Sequence, residues 1–112
     1  MHEGFESRLI IHNIIKLTIK KSYNFDQSLI IATKNKNLNV HDKKFIHNVS
    51  LSSMRHFFIV KKIILDLVKK IEIDSDTFIL LLSAITQILY LKTKEYAVVN
   101  STVELCNKKN IN

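Results

Sequence analysis

The chain has 112 residues, 46% of them apolar and 24% charged, with a formal net charge of +7. That is a globular balance in one domain's length, residues 1–112, and the positive excess favours polyanionic partners. One glycine, no proline and one cysteine exclude several classes: turn-rich sandwiches and barrels, dinucleotide fingerprints and P-loops, intrachain disulfides and multi-cysteine zinc sites.

Apolar residues recur at helical spacing from Phe5 to Lys21, with Phe5, Leu9, Ile15 and Ile19 among the inward candidates. Ser22 to Asn24 break this helix. A short second helix runs from about Phe25 to Lys34, followed by a polar loop, Asn35 to Asn37. Asn39 is a good N-cap, because its side-chain oxygen can accept an orphan backbone N–H, and Asp42 stands three residues on. The third helix reaches about Arg55 and buries Phe45, Val49 and Met54. The fourth covers Phe57 to about Ile71, with Val60, Ile63, Ile64, Leu67 and Val68 on its apolar side. Asp74 or Ser75 caps a fifth helix that is apolar nearly all round, as a helix at the centre of a bundle is. A sixth starts near Glu95 and carries Val98, Val99, Val103 and Leu105. No segment alternates strictly, so the β-branched residues do not signal strands. The expected fold is all-α, a bundle of about six helices.

The uncharged stretch from Thr77 to Leu91 is shorter than a spanning helix and holds Ser83, Thr86 and Gln87. The N-terminal apolar run from Leu9 is interrupted by His12 and Asn13, which does not fit a signal peptide. No membrane partner is expected, and the cytoplasm is the expected compartment.

Chemistry-bearing residues are sparse. His2, His12, His41, His47 and His56 form no His-Glu-x-x-His pattern, so no metal is expected. Cys106 would need a nearby base and an electropositive setting to act as a nucleophile, and at the apolar edge of the sixth helix it reads as a small buried hydrophobe. Ser50, Ser52 and Ser53 lack the glycines of a nucleophile elbow. No acid–base pair has catalytic spacing, and no cofactor is implied. Asp66 pairs with Lys62 and Lys70 as ordinary helix-surface charges do. The chain is expected not to be an enzyme.

The basic residues form the more informative pattern. Arg8, His12, Lys16 and Lys20 follow at i, i+4, i+8 and i+12, a row free of acids that drifts about 40° per step. Such a ridge could track nucleic-acid phosphates, the alternative being a solvated lysine face. Lys43 and Lys44 follow the cap of the third helix, whose free N–H groups already favour anions. Arg55, at the end of that helix, either binds nucleic acid or stabilises the helix terminus. Tyr23 and Phe25 form the one candidate base-stacking pair, with core or loop packing the favoured reading for both.

The segment from Gln87 to Lys108, with Ala97-Val-Val-Asn100 and then Val103-Glu-Leu105, resembles the NusB-type helical domain. In that family a Tyr-Gln-Leu-Leu-like helix is followed by Ala-x-x-Asn-Glu-x-Val-Glu-Leu-Ala-Lys. Asp42-Lys-Lys-Phe45, Val49 and Met54-Arg55 resemble the family's Asp-Arg-x-Phe, Leu-Val and Leu-Arg positions, and Arg8 resembles the arginine of its first helix. The wording near Gln87 and from Ala97 to Leu105 is closest to the domain preceding the catalytic part of ribosomal RNA cytosine 5-methyltransferases of the Sun or RsmB type. A second relative is the free-standing NusB antitermination factor.

The resemblance implies a non-catalytic, all-helical RNA-binding domain. Its implied partners are ribosomal or leader RNA, with a ribosomal protein, a methyltransferase domain or a second copy alongside. A helical protein-interaction module is the rival reading. Departures include Ser52 where Gly is usual, Leu82 where Arg is frequent, Thr86 in place of Tyr, Lys94 and Glu95 in a region that often holds Pro, and Ser101 in place of Glu. The family also continues into a further helix beyond the position of Asn112, so the expected bundle lacks that last helix.

Overall fold

The computed structural model describes residues 4–109, and His2 lies outside them. Six helices occur among the described residues: α1 (Phe5–Lys20), α2 (Phe25–Thr33), α3 (Val40–Arg55), α4 (Phe57–Leu67), α5 (Asp76–Leu89) and α6 (Glu95–Lys109). None is long and apolar enough to cross a membrane.

Local chemistry sets most of the boundaries. Asn24 and Gln27 make a reciprocal capping box on α2, with Gln27 N–H on Asn24 Oδ1 at 2.8 Å and Asn24 N–H on Gln27 Oε1 at 3.0 Å. Asn39 caps α3 by accepting the Asp42 N–H at 2.7 Å. Of the two candidates for α5, Ser75 is the cap: its Oγ accepts the Phe78 N–H at 3.2 Å and donates to the Glu72 carbonyl at 2.7 Å. The α3–α4 corner is a single residue. His56 N–H and His56 Nδ1 both reach the Ser52 carbonyl, at 2.9 and 3.0 Å, and the His56 ring stacks on Tyr90 at 3.6 Å.

Lacking further glycines, the chain puts ordinary residues into left-handed backbone where helices end. Ser22 (φ 60°) follows α1 and Lys92 (φ 54°) follows α5. In each case the next N–H returns to the helix, Tyr23 to the Leu17 carbonyl and Thr93 to that of Gln87. The one glycine, Gly4, precedes α1 at φ 82°, and a Cβ there would collide with the Arg8 guanidinium.

Two helices are central. α1 packs against α2, α3, α5 and α6, and α5 packs against α1, α3, α4 and α6. The core joins Ile10, Ile11, Ile14 and Ile15 of α1 to Ile46 and Val49 of α3, Val60 and Ile64 of α4, and Phe78, Ile79 and Leu82 of α5. Burying each such side chain stabilises the fold by about 1.5–3 kcal/mol.

The inward face of α1 therefore differs from the expected one: Phe5, Leu9 and Ile19 are only partly buried. α4 is also shorter than the expected Phe57–Ile71. The chain turns extended at Val68, and Ile71 and Ile73 then pack against the core. Their i, i+2 spacing suits an extended segment with one face inward. Leu67, an expected inward residue, is 74% exposed as a result. On α6, Val98 and Leu105 are buried, whereas Val99 and Val103 are exposed with Tyr96 along one stripe.

Candidate functional site

Between Glu6 and Asp66 the chain holds eleven lysines and arginines and only two acids, Asp26 and Asp42. The fold decides which of those cations reach a ligand. Because α1 is enclosed by four helices, only part of its basic row stays in solvent.

Arg8 is half-buried. Its guanidinium lies 5.0 Å from the centroid of the Phe45 ring, tying α1 to α3 by a cation–π contact. Burial pulls its pKa below the ordinary value, and the Glu104 carboxylate partly opposes that. Contrary to the surface position that the row implies, His12 is 1% exposed. Its Nε2 donates to Asp76 Oδ1 at 2.7 Å, and the Lys16 ammonium donates to the same oxygen at 3.1 Å. Asp76 belongs to the first turn of α5, where the helix dipole also favours an anion. Burial raises its pKa, but the hydrogen bonds and charges of His12 and Lys16 outweigh this and hold it below the ordinary carboxylate value. An acid from another helix thus interrupts the row that is acid-free in sequence. Lys20, at the end of α1, is exposed.

Five exposed lysines, Lys20, Lys21, Lys36, Lys43 and Lys44, stand around α2, which is flanked by two grooves. The first, of about 480 Å³, lies between α1 and α2, with Lys16, Lys20 and Lys21 along it and Leu17, Ile31 and Ala32 beneath. A Thr18–Ser28 hydroxyl pair at 2.8 Å joins the two helices behind it. The second groove, of about 520 Å³, lies between α2 and α3. Leu29, Leu38 and Ile46 form its apolar floor, and Lys36, Lys43, Lys44 and His47 its rim. No carboxylate lines either groove. The Lys36–Glu6 pair at 3.8 Å is solvent-exposed and holds Lys36 weakly.

The structure therefore brings Lys16 and Lys20 to one side of α2, and Lys43 and Lys44 to the other. Arg55 is exposed in the last turn of α3, about 16 Å along the helix from Lys44 at the usual rise. Its charge there complements the helix dipole. Lys21 and Lys36 are groove residues that the i, i+4 row does not include, since one follows α1 and the other stands in the α2–α3 loop. Phe25 packs against the core and meets the His47 ring edge-on at 5.9 Å, so it does not form a free stacking pair with Tyr23.

Other chemistry is sparse. Among the described residues no three His, Cys, Asp or Glu side chains cluster as metal ligands would. Cys106 is a free thiol, partly buried. Ser50 and Ser53 are fully buried on α3, their hydroxyls without a hydrogen-bond partner among the described residues. On α4, Lys62 and Asp66 pair at 3.7 Å, whereas Lys70 falls beyond the helix end.

A family model described as the NusB family matches residues 6–111. No curated protein matches the chain, and no solved structure does.

Proposed function

The chain belongs to the NusB family, and from that premise we propose that it is a non-catalytic RNA-binding domain whose contact surface is the lysine-lined face around α2. The observation that carries the reading is the pair of acid-free grooves. Lys20 and Lys21 stand on one flank of α2, Lys36, Lys43 and Lys44 on the other, and all five are exposed. Lysines so placed neutralise phosphates and release counterions, which gives affinity that falls with salt. Lys16 contributes less, because Asp76 holds it, and Arg55 adds a peripheral contact at the far end of α3. Arg8 and His12 serve the packing of α1.

The RNA is ribosomal or leader RNA. The role is that of the N-terminal domain of an rRNA cytosine 5-methyltransferase or of a free-standing antitermination factor, with a ribosomal protein or a methyltransferase domain as the protein partner. Fluorescence anisotropy with labelled single-stranded RNA across a salt series tests the reading, with duplex DNA as competitor. A slope of log affinity on log salt that reports several contacts, at about −0.7 each, together with preference for RNA, supports it. No binding at low salt overturns it.

One observation favours a second reading, a protein-interaction module. Tyr96, Val99 and Val103 stand exposed on α6 at i, i+3 and i+7, the spacing of a helix-docking stripe. Salt-insensitive, concentration-dependent self-association in sedimentation would favour that reading over RNA binding.

A further inference from the structure

We propose that the groove between α2 and α3 takes an unstacked base of single-stranded RNA, with Lys36, Lys43 and Lys44 on the flanking phosphates. The inference rests on the RNA-binding reading and adds how a strand is held.

Three features separate this groove from a merely charged surface. Its floor is apolar and fixed. Ile46 is part of the core, and Leu29 and Leu38 pack against that core, so the cavity is preformed. Phosphates need no such floor, whereas the face of a base does. Its volume of about 520 Å³ lies within the range of small-molecule pockets, and is suited to a compact planar group. Its rim also offers groups that can bond base edges. Asn48 carries an amide donor and acceptor, and His47 carries a ring nitrogen pair. Both project from α3 one turn beyond Lys43 and Lys44.

The cations set the polarity of the occupant. Lys43 and Lys44 are exposed near the start of α3, and Lys36 approaches from the loop. Asp26 and Asp42 are the nearest acids in sequence, and neither lines the cavity. A neutral planar group on the floor, bordered by anionic groups on the rim, is the pattern of a nucleotide within a strand. A duplex would have to unpair and unstack a base to fill the groove. The groove therefore selects single strands.

The test is fluorescence anisotropy of the full chain with two labelled probes, a short oligouridine and the same strand with abasic residues at alternate positions. The intact strand is expected to bind about tenfold tighter, as if roughly 60 Å² of apolar surface left water. The salt slopes of the two probes should be equal, because their phosphates are the same. Asn48→Ile narrows the groove with a side chain that offers neither a stacking face nor an edge hydrogen bond, and should reduce the difference between probes without changing the slope. Equal affinity of the wild-type chain for both probes would overturn base insertion and leave RNA binding standing. Failure to bind either probe at low salt would remove both. Competition by polyglutamate as effective as that by RNA would reassign the groove to acidic peptides.

Discussion

His12 Nε2 lies 2.7 Å from Asp76 Oδ1, across the interface between the two central helices α1 and α5. This one contact changes the reading of the N-terminal basic row. It takes His12 out of solvent and draws Lys16 onto the same carboxylate. Exposed cations remain on both flanks of α2, at Lys20, Lys21, Lys43 and Lys44.

Asp76→Asn should therefore act in two directions. It weakens a charge-assisted contact at a partly exposed site, costing about 1 kcal/mol of stability. It also releases Lys16 beside the α1–α2 groove, so the salt slope for RNA should steepen by about 0.7. The pH dependence has a definite sign. The Asp76 carboxyl has a lowered pKa in the folded chain, so its contribution is full above the unfolded value of about 3.9. It is lost as pH falls through the lower folded value. Thermal melts between about pH 5 and pH 2 should show wild-type stability dropping in that window, with the asparagine variant less affected.

Arg8 is predicted to matter for folding more than for RNA. Arg8→Ala removes the contact with Phe45 and the apolar stem that lies with it, at about 1–2 kcal/mol. Gly4→Ala should cost a similar amount, because left-handed backbone penalises a Cβ by about 1–2 kcal/mol and this Cβ meets the Arg8 guanidinium. Urea unfolding measures both. RNA affinity of the folded Arg8 variant should change far less than that of variants at Lys43 and Lys44.

The left-handed residues Ser22 and Lys92 are sites where glycine should help. The steric relief is offset in part by the greater unfolded-state freedom of glycine. Ser22→Gly and Lys92→Gly should each stabilise the chain by about 0.5–1 kcal/mol, read as a rise in melting temperature at high salt, where the lost lysine charge counts least.

Ser50 and Ser53 bury hydroxyls without partners on the inner face of α3. Replacing either by alanine removes a desolvated polar group without changing the small footprint that lets helices approach. Each variant should be at least as stable as the wild type, by up to about 1 kcal/mol. A loss above that in calorimetry would mean that the hydroxyls are bonded.

The sequence made the helices legible where the signal is local. Asn39 and Ser75 are caps because short polar side chains precede apolar periods, and α5 is central because it is apolar nearly all round. The end of α4 was not legible. Val68 to Ile71 continues an apolar period, but the core claims Ile71 and Ile73 from an extended segment. Lys43 and Lys44 were visible as an exposed pair at a helix start. The fate of His12 was not, because it depends on α5 bringing Asp76 against α1 from a position 64 residues away. Lys21 and Lys36 join the grooves only through the way α2 lies between α1 and α3.

The most direct measurement is the salt dependence of RNA affinity for the wild-type chain and for a variant carrying Lys20→Ala, Lys21→Ala, Lys43→Ala and Lys44→Ala. If the surface around α2 binds phosphates, the variant keeps its melting temperature and helix content, binds more weakly, and loses about 3 from the magnitude of the slope. An unchanged affinity and slope in a folded variant would place RNA binding elsewhere on the molecule, or nowhere.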